Sequence, residues 1–206
     1  MTATATVPGD GAGARVRAPR RDRAWTLGGG AVLVAGCVLL TARPALVAMG
    51  PAPVATLTLL FGGLLVVGAW WPTPPEAASP GRDGRMGSAA AVAVGLGAFL
   101  VGRAIGGGHA PAGPTFALVL TNTFAAVAEE AFFRRLCFGL LAPAGVAWAV
   151  IGSSLLFAVV HLTTYGLWVL PLDLAAGLVL GWQRAATGSW RAPAVTHVLV
   201  NLLIVL

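Results

Sequence analysis

Two adjacent carboxylates, Glu129 and Glu130, stand in a run that is otherwise apolar, Ala128-Glu129-Glu130-Ala131-Phe132-Phe133, and Arg134 closes it. A charge set among apolar residues at membrane depth is costly, so each such group is a candidate for chemistry. Glu130 and Arg134 are four apart and share a helix face, where pairing lowers the cost of burying both. Glu129 lies about 100° around the same helix and is left for other work. For a carboxylate, that work is general acid–base catalysis: taking a proton from water and passing it on. Two more apolar runs carry polar groups in the same manner, Phe157-Ala158-Val159-Val160-His161 and His197-Val198-Leu199-Val200-Asn201. His197 and Asn201 again share a face. At about 1.5 Å per residue from the presumed cytoplasmic helix ends, Glu129 and His161 lie roughly 20 Å deep and His197 about half that. One cavity is expected to hold them.

The elements that must position these groups are membrane helices. Of the 206 residues 57% are hydrophobic and 10% charged, and the mean hydropathy is +0.85, which is far from the composition of a soluble domain. The expected fold is all-α, a polytopic transmembrane helix bundle of about seven helices, each needing roughly 20 residues. The apolar stretches fall near 24–42, 53–71, 88–105, 115–141, 146–168, 169–183 and 192–206. Between them stand turn-formers such as Arg43-Pro44, Pro72-Thr73-Pro74-Pro75, Gly106-Gly107-Gly108 and Ala142-Pro143. The last two stretches are short, and one of them is readable as a partial or steeply packed helix. Residues 1–23 form a disordered arginine-rich tail, and 24–206 the bundle, with the polar motifs in 115–206.

Every basic residue is arginine, and the net charge is +6. The arginines are scattered between apolar stretches rather than gathered on an aromatic-interleaved surface, which excludes nucleic acid as a partner. With abundant Ala and Gly, they suggest a GC-rich bacterial coding sequence. If the tail stays in the cytoplasm and the helices alternate, Arg15, Arg17, Arg20, Arg21, Arg23, Arg82, Arg85, Arg134, Arg135, Arg184 and Arg191 fall inside. Arg43 and Arg103 alone fall outside, as the positive-inside rule asks. The expectation is a multi-pass cell-membrane protein with a cytoplasmic N-terminus. Cys37 and Cys137 lack metal or disulfide spacing and read as small buried residues. Gly102-x-x-x-Gly106 and Gly177-x-x-x-Gly181 would permit close helix approach, and Trp70, Trp71, Trp182 and Trp190 stand at segment ends as interface anchors.

The three motifs EExxxR, FxxxH and HxxxN, in that order and each complete, resemble those of the CAAX protease and bacteriocin-processing (CPBP, or Abi) family and are similar to type II CAAX prenyl endopeptidases. The resemblance covers Thr115 to Leu206; the earlier helices match only as hydrophobic helices. It implies an intramembrane endopeptidase with a cavity open toward the cytoplasm and the membrane, acting on peptide or membrane-protein substrates within the lipid. Glu129 would be the general base, with His161 holding the same water. His197 and Asn201 would stabilise the oxyanion on the scissile carbonyl, and Glu130 and Arg134 would support Glu129.

Other readings stay open. Glu129, His161 and His197 could instead ligate a catalytic zinc ion, and the family is often labelled a metalloprotease, although HExxH is absent and the Glu-base mechanism needs no metal. The Glu130–Arg134 pair serves equally well as a packing device. A lone membrane histidine is often only a hydrogen-bonding group between helices; beside Glu129 the functional reading outweighs that one. Asp173 reads as helix-terminal or water-facing rather than as part of the site, and His109 as solvated. The rival functions are a proton-coupled transporter and an inactive scaffold or immunity protein. The serine motif GxSG and the aspartate motif GxGD of other intramembrane proteases are both missing.

Overall fold

The computed structural model describes residues 23–72, 84–105 and 115–205. The tail up to Asp22, the turn residues Thr73, Pro74 and Pro75, Gly106–Gly108 and His109 lie outside the described residues. Each of the seven expected apolar stretches is mostly helical where described, the stretch 146–168 being interrupted at Gly166, and the described residues contain no strand. The helices are α1 (Arg23–Thr41), α2 (Arg43–Met49), α3 (Pro53–Trp70), α4 (Gly84–Ile105), α5 (Phe116–Glu130), α6 (Phe138–Leu141), α7 (Val146–Tyr165), α8 (Leu170–Thr187) and α9 (Arg191–Val205). A π-helical segment, Ala131–Cys137, joins α5 to α6 without a break.

Four of these helical stretches are long and apolar enough to cross a membrane: Pro53–Trp70, Gly87–Ile105, Phe116–Ala144 and Val146–Tyr165. Thr26–Thr41 with Arg43–Met49 makes a fifth if the bent pair is one span. α8 carries Asp173, Gln183 and Arg184, and α9 has 15 residues; these two pack in the bundle, but neither is both long and apolar enough to count among the crossing helices. Large apolar side chains face outward along the helices, among them Leu59, Ile105 and Phe116 at 78%, 82% and 83% exposure. Such a surface is stable against lipid and not against water. The protein is a multi-pass membrane helix bundle.

The bend between α1 and α2 departs from the expected plain turn after residue 42. The chain turns by 57° across a one-residue break at Ala42 and resumes as α2, because Pro44 cannot donate to the ladder and its ring displaces the carbonyl one turn back. Pro53 and Pro171 open α3 and α8 at the positions where proline is tolerated. Thr115 caps α5 by accepting from Leu118 N at 3.2 Å. α7 is closed by Gly166 at φ 85°, a left-handed backbone that only glycine adopts cheaply. α8 runs on to Thr187, beyond the expected end at 183.

The apolar core lies between α1, α3, the π segment and α7, built from Leu40, Phe61, Leu64, Phe132, Phe133 and Leu136. Close approach requires glycine at two places. A Cβ on Gly68 would lie 2.5 Å from the Ala131 carbonyl carbon, so α3 rests directly on the start of the π segment. A Cβ on Gly177 would lie 3.0 Å from Ser154 Cα, and one on Gly181 3.1 Å from Val150 Cγ1; this GxxxG pair does seat α8 on α7. Gly102, by contrast, faces open space. Trp71 is no exposed anchor: its ring packs against Gly28 and Gly29 of α1, whereas Trp70 and Trp182 remain exposed. Cys37 and Cys137 are free thiols, the second fully buried.

Candidate active site

Glu129 and Glu130 end α5, where the ladder widens into the π segment. Single π turns inside α-helices recur at functional sites because they re-aim successive side chains. The two carboxylates here serve two clusters. Glu129 is 4% exposed and Glu130 wholly buried.

Glu130 meets the cations. Its Oε1 is 3.0 Å from His197 Nδ1, and its Oε2 is 3.4 Å from Arg134 Nε, an ion pair without good hydrogen-bond geometry. Arg134 is fully buried; it donates to the Gly177 carbonyl at 3.3 Å and lies 4.8 Å over the Phe157 ring. The spacing-based pairing of Glu130 with Arg134 is therefore present, with His197 as an added partner.

Glu129 meets His161. Its Oε1 stands 3.8 Å from His161 Nε2 and 4.0 Å from Arg43 NH1. His161 Nδ1 is 2.7 Å from the Phe157 carbonyl, which can only accept, so Nδ1 carries the proton and Nε2 turns toward Glu129. Asp173 Oδ2 lies 3.6 Å from the same Nδ1. It is in the first turn of α8, as expected of a helix-terminal aspartate, with its side chain 20% exposed and Oδ2 turned toward His161. Arg43 donates to Thr164 Oγ1 at 2.9 Å and sits by the rings of Phe61 and Tyr165 at 5.9 and 5.8 Å. Tyr165 stacks on His161 with ring centroids 5.8 Å apart.

Phe157 joins the two clusters. Its ring lies 4.7 Å from that of His161 and 5.8 Å from that of His197. The phenylalanine of FxxxH thus anchors His161 through its carbonyl and packs against His197 and Arg134 through its ring. Asn201 is further along α9, with its amide nitrogen 3.4 Å from the Asn122 carbonyl. That hydrogen bond ties it to the backbone of α5.

Arg43 and Asp173 are the site residues that sequence reasoning missed. Arg43 reads in the sequence as part of an external turn, and only its separation from other arginines marks it. Asp173 offers a signal, being a carboxylate in an apolar stretch, but no helical spacing connects it to His161. As a zinc set, Glu129, His161 and His197 do not converge: Glu130 engages His197 Nδ1, and among the described residues no three His, Cys, Asp or Glu side chains form a metal-binding group.

Comparison with curated proteins and with solved structures finds no match. Residues 111–203 match the family model of type II CAAX prenyl endopeptidases, Rce1-like. Those residues include EExxxR, FxxxH and HxxxN with both clusters they build, and the match supports assigning the chain to the CAAX protease family.

Proposed function

We propose that the chain is an intramembrane endopeptidase in which Glu129 activates a water molecule. One observation carries this reading: two hydrogen-bond acceptors, Glu129 Oε1 and His161 Nε2, face each other at 3.8 Å. With Nδ1 spent on Phe157, that gap fits a water that donates one hydrogen to each acceptor and presents its lone pair outward. The water oxygen attacks the scissile carbonyl carbon as its proton passes to Glu129. The C–N bond then breaks, and Glu129 returns the proton to the leaving nitrogen.

The oxyanion needs donors. His197, held by Glu130 through Nδ1, supplies Nε2–H in its imidazolium form, and Asn201 keeps a second amide hydrogen beyond the one facing Asn122. Arg43 balances and orients the Glu129 carboxylate, and Asp173 places negative charge beside His161 Nδ1–H. Arg134 and Glu130 position His197. The substrates are peptides or membrane proteins presented within the lipid.

The test is cleavage of a mixed peptide and membrane-protein library by the purified chain in lipid, comparing wild type with Glu129→Ala, each with and without a chelator. Cleavage that survives the chelator and vanishes in the variant supports the mechanism. Loss in both arms points to a metal site built on the same residues. Folded wild-type protein that cuts nothing favours a scaffold or transporter.

A further inference from the structure

The Glu129–His161 centre lies toward one end of the bundle. α1 and α7 finish together there, with Thr163 Oγ1 donating to the Thr41 carbonyl at 2.7 Å and Arg43 donating to Thr164. α8 starts there and carries Asp173 in its first turn. His161 is four residues from the end of α7, or about 6 Å along the axis. The opposite end is where α1 begins and where α3 and α6 finish. There, a Cβ on Gly29 would lie 2.6 Å from Leu140 Cδ2 and 3.1 Å from Trp71 Nε1, and Arg135 holds the Trp71 carbonyl at 2.9 Å.

The arginines divide unequally between these ends. α1 and α4 begin, α8 ends and α9 begins at the end away from the site, and in the sequence Arg15, Arg17, Arg20, Arg21, Arg23, Arg82, Arg85, Arg184 and Arg191 flank those helix ends. The site end has Arg43 and Arg103, and Arg43 is spent inside the molecule on Glu129 and Thr164. Leaving aside Arg134, Arg135 and Arg184, which turn inward onto backbone carbonyls, does not alter the imbalance. Arginines flanking membrane helices are retained on the cytoplasmic side.

We propose that the centre opens toward the extracytoplasmic face of the membrane, and that its substrates are peptide bonds at or just within that face, in exported or membrane-anchored segments. A cytoplasmic tail and a cavity open to the cytoplasm, both expected from sequence, are incompatible in this structure, and the arginine distribution decides for the first. The substrate clause rests on the protease reading; the orientation does not.

Single cysteines test it. Leu167→Cys and Ala144→Cys place thiols in exposed turns at the site end and the opposite end. The wild-type chain, whose cysteines lie within helices, is the blank. With a membrane-impermeant maleimide, Leu167→Cys is labelled in intact cells of a bacterial host and Ala144→Cys only after permeabilisation. The reverse pattern, labelling of both in intact cells, or labelling of neither until permeabilisation overturns the proposal. Trp168→Cys and Pro143→Cys repeat the comparison if either first variant misfolds. Correct orientation with no cleavage by the purified chain would sink the protease reading and leave the orientation standing.

Discussion

At Glu129 the charge balance is set by neighbours from two other helices, Arg43 of α2 and His161 of α7. Replacing the proposed base while keeping its shape, Glu129→Gln, is expected to lower kcat about 10²- to 10⁴-fold, the usual worth of a general base, with the fold intact. Arg43→Ala removes a charged contact worth about 1.5 kcal/mol, so kcat should fall about tenfold. Arg43→Lys should restore much of that loss, because it returns the charge. A drop in KM alone, or no rescue by lysine, would remove Arg43 from the role of orienting Glu129. Spacing makes Glu130–Arg134 legible in the sequence, since both lie on one helix. Arg43 and Asp173 are not legible there, because each meets its partner on a different helix: Arg43 reaches Glu129 from α2, and Asp173 reaches His161 across the turn between α7 and α8.

The elements hold the site by close contact of backbone with backbone. Gly68→Ala pushes a methyl group into the Ala131 carbonyl at the entrance to the π segment; such overpacking costs about 1–3 kcal/mol. Gly63 of the same helix faces open space, so Gly63→Ala should be neutral or stabilising by up to about 1 kcal/mol. Thermal unfolding in detergent separates the two, and equal midpoints would show that α3 does not rest on the π segment. Arg134→Ala leaves Glu130 with one cation fewer in a fully buried setting, at a cost of about 3–5 kcal/mol. It should therefore reduce the yield of folded protein, where Glu129→Gln does not. Helix positions and the GxxxG contact of α8 are readable from hydropathy and glycine spacing. The π segment is not, because nothing in Ala131–Cys137 distinguishes a ladder widened by one residue from a regular one.

For the whole molecule, orientation follows from charge flanking the helices. Changing Arg15, Arg17, Arg20 and Arg21 to Gln should lower the labelling of Leu167→Cys in intact cells and expose a fraction of Ala144→Cys. Unchanged labelling would mean that the later arginines set the topology by themselves. The bundle itself should persist in either orientation, since its core is formed by apolar contacts that do not depend on which compartment each end faces.

Composition and periodicity by themselves determined that this is a helical membrane protein, because the bilayer demands long apolar stretches whatever their arrangement. The three motifs likewise identified Glu129, His161, His197 and Asn201 as candidates, since isolated polar groups in such stretches are visible in one dimension. Only the tertiary structure decided which of them meet. It gave His197 to Glu130 and His161 to Glu129, set Asn201 on the backbone of α5, and brought in Arg43 and Asp173. Those pairings depend on the rotation and depth of each helix against its neighbours. These are fixed by the Pro44 bend, by glycine contacts and by the π segment, and no spacing along the chain encodes them.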